Sequence, residues 1–221
     1  MLRHLPVAAL IWAAVSCTTE TGQETAQSLE EDLSVTTSGN HQVHLTTELG
    51  EIVIELDPGK APVSVANFLS YVDSGHYDST IFHRAIDGYL VEAGRIHLEG
   101  TSAVEKLPQA PIENESRNGL QNDRGTVAMA RNARPDSATA AFFINLADNR
   151  SLNFPQPDGH GYAVFGKVVS GMEIADQIGM AETGIRPLSL YHPATGELEI
   201  QRVADVPLEA VTILSARRSS K

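Results

Sequence analysis

The stretch Ile81–Gly94, IFHRAIDGYLVEAG, holds the residues of this chain best placed to do chemistry. It reads as two strands, Ile81–Ile86 and Tyr89–Ala93, joined at Asp87-Gly88, because Gly tolerates the positive φ of a two-residue hairpin turn. Side chains alternate along a strand, so Phe82 and Arg84 take one side and Ile81, His83 and Ala85 the other. On the second strand Leu90 and Glu92 share a side. Antiparallel pairing then brings Arg84 beside both of them on one apolar surface. An arginine in that setting is either half of a structural ion pair or a fixed donor for charge that develops during a reaction. Phe82, His83 and Phe142 read as core residues.

The remaining chemistry-bearing residues exclude several classes. There is no H-E-x-x-H and no cysteine-based zinc spacing. His41 and His44 are three apart on an expected strand and point to opposite faces. No G-x-S-x-G elbow occurs, and Gly159 and Gly161 do not make a dinucleotide fingerprint. No metal or cofactor is expected.

The elements that must position Arg84 read mostly as strands. Gln42–Leu49 and Glu51–Leu56 hinge at Gly50, with Ile52, Ile54 and Leu56 on one face. Lys60-Ala61-Pro62 opens a helix, Pro being tolerated in a first turn, and Val65, Phe68, Leu69 and Val72 form its buried stripe before Gly75 ends it. The segment from Arg95 to Asn122 reads as irregular. Gly125–Ala130, Ala141–Leu146 and Tyr162–Val169 read as strands, with a polar loop over Ala147–Gly161. Ser170-Gly171-Met172-Glu173 has the pattern of a capping box before a short helix ending near Gly179. Leu188–Ile200 reads as an extra hairpin turning at Pro193–Gly196, and Ala210–Ala216 as the last strand. Two helices far apart, many strands and no βαβ alternation predict an all-β body.

The hairpin resembles the F-H-R-x-I-x-G-[FY]-[ML]-x-x-x-G core of the cyclophilins, the peptidyl-prolyl cis-trans isomerases. Gly125–Ala130, Ser137–Asn145 and Tyr162–Val168 with Gly171-Met172 resemble the next three blocks of that family, in family order. The resemblance implies a closed eight-stranded antiparallel barrel capped by two α-helices, spanning residues 40–218. It implies that Arg84 stabilises the twisted imide of an X-Pro bond in a proline-containing polypeptide. Tyr89, Leu90, Phe143, Leu152 and Tyr162 would line the proline pocket, and Ala130 and Arg131 would pair with the substrate backbone through their main chain. The chain departs from the family pattern at four positions. Glu92 and Ala141 stand where glutamines are usual, Ser151 where Trp or Phe is common, and Ala93 where Gly is customary. An ionised Glu92 offers only acceptors, so it would compete with substrate for the donors of Arg84 and weaken turnover. The alternative is a proline-binding, chaperone-like module of the same fold with little or no turnover.

The chain has 221 residues, 42% of them hydrophobic, and a net charge of −12, which argues against a nucleic-acid partner. Residues 1–17 combine a basic start with an apolar run from Leu5 to Val15, too short to span a bilayer, which takes ~20 residues. They read as a secretory signal. Ala14-Val15-Ser16-Cys17 resembles a bacterial lipobox, so Cys17 is the expected lipidation site, the alternative being an ordinary cleaved signal with an incidental cysteine. Without a second cysteine no intrachain disulfide is possible. Residues 18–39 are polar and read as a flexible linker. The expectation is a monomer in the bacterial cell envelope, on the periplasmic side, touching the membrane through a lipid anchor alone, with the outer membrane favoured.

Overall fold

The computed structural model describes residues 41–192 and 194–219. The expected signal segment 1–17 with Cys17, the linker 18–39 and Pro193 of the expected turn lie outside the described residues.

Alternating apolar residues make the first hairpin. Strand β1 (Gln42–Thr47) buries Val43 and Leu45, and β2 (Gly50–Leu56) buries Ile54 and Ile52 opposite them. Helix α1 (Pro62–Asp73) follows, with Pro at its first turn and Val65, Phe68, Leu69 and Val72 buried as their spacing predicts. Ala61 at the N-cap has no side chain that can cap. The carboxylate of Glu115 does so from a distant loop, accepting the Val63 and Ser64 N–H groups at 3.0 and 2.7 Å and the Ser64 hydroxyl. A carboxylate here also meets the positive end of the helix dipole.

The next strands are β3 (Thr80–Ile81), β4 (Arg84–Ile86), β5 (Leu90–Ala93), β6 (Ile96–Glu99), β7 (Ser102–Glu105), β8 (Thr126–Met129), β9 (Phe142–Asn145) and β10 (Val164–Ser170). Helix α2 (Met172–Gly179) leads to β11 (Thr183–Tyr191), β12 (Leu198–Pro207) and β13 (Thr212–Arg218). Pairing runs β13-β1-β2-β10-β8-β9-β5-β4, antiparallel at every step. Strands β3 and β4 are parts of one stretch, and β3 pairs back onto β13. The ring therefore closes with eight stretches, as expected, and α1 and α2 pack against it. At the junction of β3 and β4, Phe82 N–H donates to Val211 O and His83 N–H to Glu92 O, each at 3.0 Å. Within two residues the backbone changes hydrogen-bonding partner from one side of the ring to the other.

Inside the ring Phe68, Tyr77, Phe142 and Phe165 are fully buried, with ring centroids 5.1–5.4 Å apart in the packed pairs. Burial of each such side chain contributes roughly 1.5–3 kcal/mol. These rings belong to one continuous core with the strands' inward-facing residues.

Several local expectations are corrected. Ile81–Ile86 is not one strand, because of the change of partner at Phe82-His83, and strict alternation fails there. Phe82 and Ala85 both join the barrel core, while Arg84 is on the outside. The loop is three residues, Asp87–Tyr89, because Ile86 pairs with Leu90. Tyr89 N–H closes the turn on Ile86 O, with Gly88 at φ +62. The segment after Arg95 is not all irregular: β6 and β7 form a hairpin around Gly100-Thr101. The extra hairpin is longer than Leu188–Ile200, comprising the whole of β11 and β12, and its register pairs Pro187 with Arg202. With β6 and β7 it extends the sheet beyond the ring, β7 and β11 being parallel.

The capping box before α2 does not form. Gly171 is the N-cap, at φ +82, with no side-chain hydrogen bond, while Ser170 remains in β10. A Cβ on Gly171 would collide with the Glu51 carbonyl oxygen. Both the conformation and the close approach require glycine, so Gly171→Ala is expected to destabilise the protein by about 2–4 kcal/mol. Denaturant unfolding checks this, and a loss under about 0.5 kcal/mol would contradict the account.

Candidate active site on the outer wall

Cross-strand register assembles the site. Arg84 on β4 pairs with Glu92 on β5, Glu92 with Phe143 on β9, Phe143 with Ala128 on β8, and Ala128 with Val164 on β10. Directly opposed residues share a face, so these five form one row across the outer wall. A second row, Ile86–Leu90–Asn145, lies two residues along. The adjacent phenylalanines of β9 separate by the same rule: Phe142 enters the barrel core and Phe143 the outer cluster.

That cluster contains Leu90, Ala128, Phe143, Leu152 and Val164, with Tyr89, Leu120, Ala130 and Tyr162 packed against it. Every apolar pocket residue expected from the sequence is in it. Phe143 meets Tyr162 edge-on at 5.7 Å. Phe143 and Leu90 are only 2% and 4% exposed, so they form a floor, with the half-buried Tyr89, Ala130 and Tyr162 at the edge. The small Ala128 keeps that floor low beside Phe143.

Buried amides hold the loop that completes the pocket. Asn145 donates to Asn122 Oδ1 at 3.2 Å and to Thr126 Oγ1 at 3.0 Å; Asn149 donates to Asn145 Oδ1 and to Tyr89 O, both at 2.8 Å. Asn122 donates to Asn153 Oδ1 at 3.0 Å and to Tyr162 O at 3.3 Å. Tyr162 N–H in turn donates to Leu152 O at 2.9 Å. Tyr89, Leu152 and Tyr162 are thus tied to β9 through side chains that the sequence reading did not single out. The signal was an asparagine ending the apolar run Phe142-Phe143-Ile144-Asn145.

The main-chain groups of Ala130 and Arg131 differ in their pairing. Ala130 N–H is engaged by Ala141 O at 3.0 Å, whereas no partner within the described residues engages Ala130 C=O or Arg131 N–H. The Arg131 side chain, 2% exposed, donates to Gly161 O at 2.9 Å and Asp158 at 2.8 Å, and lies over the Tyr162 ring at 4.4 Å. It braces the pocket edge.

Arg84 lies between two carboxylates. Its Nη1 lies 4.0 Å from Glu92 Oε2, and its Nε lies 3.5 Å from Asp205 Oδ2 of β12. Asp205 was not foreseen, since nothing in the sequence places the extra hairpin beside Arg84. Glu92, its side chain 15% exposed, turns its other oxygen to His83 Nε2 at 3.2 Å. Arg95 Nε lies 3.3 Å from the same nitrogen, and Arg95 Nη1 lies 3.4 Å from Glu105 Oε1. One imidazole nitrogen cannot donate to Glu92 and accept from Arg95 together. The carboxylate is the stronger acceptor, so Nε2–H is donated to Glu92, and Nδ1 has no hydrogen-bond partner. His83 is therefore buried as read from the sequence, but as part of a charge chain. The nearer partner of Glu92 is His83 rather than Arg84.

Burial alone would raise the pKa of Glu92. The hydrogen bond and charge of His83, and the charges of Arg95 and Arg84, outweigh it and hold the carboxyl at about 2 rather than 4.5. A depressed carboxyl pKa contributes stability above its ordinary value, lost as pH falls towards the folded value. The wild type should therefore lose more stability than Glu92→Gln between pH 4.5 and 2. Unfolding curves measured across that window check it, and parallel pH dependences would refute it.

Two other clefts, one along α1 near Asn67 and Ile112 and one between Asp57 and Lys167, include neither Arg84 nor Phe143. Among the described residues, no group of three or more His, Cys, Asp or Glu is arranged to hold a metal ion.

Comparison with known proteins agrees with this geometry. Residues 42–217 match the family model of the cyclophilin type peptidyl-prolyl cis-trans isomerases. Peptidyl-prolyl cis-trans isomerase A of Dickeya dadantii is 52% identical over 147 residues, covering 66% of this chain and 75% of the relative. Peptidyl-prolyl cis-trans isomerase cyp18 of Streptomyces antibioticus is 46% identical over 177 residues, covering 79% and 96%. Among solved structures, a cyclophilin type isomerase of Cryptosporidium parvum superposes with a TM-score of 0.60 at 22% identity, over 82% of this chain and 99% of that one. The chain belongs to the cyclophilin-type peptidyl-prolyl cis-trans isomerases.

Proposed function

We propose that this chain accelerates rotation about X-Pro bonds in proline-containing polypeptides of the bacterial envelope, with Arg84 as the catalytic residue. The observation that carries this is the row Arg84–Glu92–Phe143–Ala128 on the outer wall, which sets a guanidinium beside an apolar floor. The barrier to rotation is loss of amide resonance, ~18–20 kcal/mol, and the uncatalysed reaction takes tens to hundreds of seconds. No bond is made or broken. As the imide twists, the lone pair localises on the prolyl nitrogen and becomes an acceptor. A guanidinium N–H aimed there binds the twisted state better than the planar one, and each ~1.4 kcal/mol of that preference is tenfold in rate. Phe143, Leu90, Leu152, Tyr89 and Tyr162 grip the proline ring, and Ala130 C=O with Arg131 N–H hold the flanking backbone.

Arg84→Ala should lower kcat/KM on a prolyl peptide by at least ~10-fold in a protein that remains folded. NMR exchange measures this without a coupling protease. Unchanged activity would remove Arg84 from the mechanism. The second reading, a proline-binding module with little turnover, draws on the two carboxylates flanking Arg84. Tight peptide binding without line-broadening of the cis and trans resonances would favour it.

The proposed address is the periplasmic side of the envelope, with a monomeric domain tethered by residues 18–39 to an acylated Cys17. The lipobox-like Ala14–Cys17 supports this, and Thr18 after the cysteine favours the outer membrane. Mass spectrometry of the protein from membranes should find cleavage before Cys17 and a lipid on its sulfur. An unmodified Cys17 would overturn the anchor.

A further inference from the structure

Asp205 reaches Arg84 from outside the ring. Strands β11 and β12 pair Gly184 with Val206 and Arg186 with Val203, which leaves Ala204 and Asp205 opposite Ile185 alone. This is a β-bulge, a device that re-aims a side chain. Within it Asp205 has φ +61, one of two non-glycine residues at positive φ among the described residues. Asp tolerates that region better than most side chains, but not without cost.

The hairpin that carries it is firmly mounted. Strand β11 pairs with β7 through Leu188 and Ser189, and Leu188, Leu190 and Val206 are buried with Ile81 and Ile96. Glu105, at the end of the chain Glu92–His83–Arg95–Glu105, accepts the Tyr191 N–H at 2.8 Å. The ion pair itself is half exposed, with side-chain exposures of 39% for Arg84 and 41% for Asp205. Pairs of that kind add little to stability. A costly backbone conformation kept for a pair that stabilises so little points to service of the arginine rather than of the fold.

We propose that Asp205 is a positioning residue for Arg84. It holds the Nε edge of the guanidinium while Glu92 stands by Nη1, so the remaining N–H groups face a prolyl nitrogen in one orientation. The extra hairpin is then part of the catalytic apparatus. This inference rests on the reading of Arg84 given above.

Asp205→Asn and Asp205→Gly test it, because both replacements suit φ +61 and both remove the carboxylate. Each should fold with an unlowered Tm and show kcat/KM reduced by about 3- to 10-fold, through kcat rather than KM. In the Arg84→Ala background neither should reduce activity further, since the group being positioned is gone. Wild-type or raised activity in the Asp205 variants, beside a crippled Arg84→Ala, overturns the positioning role alone. An equal loss with and without Arg84 also overturns it. Full activity of Arg84→Ala overturns the Arg84 reading and this one with it.

Discussion

A barrel filled with side chains admits nothing, and that constraint governs the rest of this structure. Phe68, Tyr77, Phe142 and Phe165 occupy the space where a larger barrel would take a ligand. The row Arg84–Glu92–Phe143–Ala128 lies on the outer wall, where the period of a β-strand becomes a sorting rule. One residue of each adjacent pair supports the fold and the other is available for chemistry, as Phe142 and Phe143 demonstrate. The pleat thus carries a stable core and an apolar floor on opposite sides of a single layer of backbone.

Electrostatics on that wall is managed by pairing. Glu92 is nearly buried, and a buried carboxylate without partners would be costly. His83 and Arg95 supply the compensation from behind, so Arg84 is not consumed in neutralising Glu92. The arrangement leaves Arg84 close to two acceptors while keeping it half exposed.

Sequence reading recovered the parts of the site governed by local rules. The placing of Arg84 beside Glu92 follows from alternation, whereas Phe143 was set apart from Phe142 through family resemblance. The stripe on α1 follows from helical period. The gathering of Leu152 and Tyr162 with Phe143 came through family resemblance and was not derivable from spacing. What escaped depends on non-local events. The change of partner at Phe82-His83 is set by β13, more than a hundred residues later in the chain. Glu115 capping α1 and Asp205 reaching Arg84 arise only when distant segments dock. The failed capping box at Ser170 has a steric cause: the Glu51 backbone passes so close to Gly171 that the chain enters α2 through a left-handed residue.

The seven-residue stretch Thr80–Ile86 both closes the cylinder and carries Arg84. Backbone displacement at Arg84 would pull on the seam between β13 and β5, so the guanidinium has an immobile base. A scaffold of this kind suits a reaction whose substrate supplies all the motion: the peptide bond turns while the wall behind it stays still.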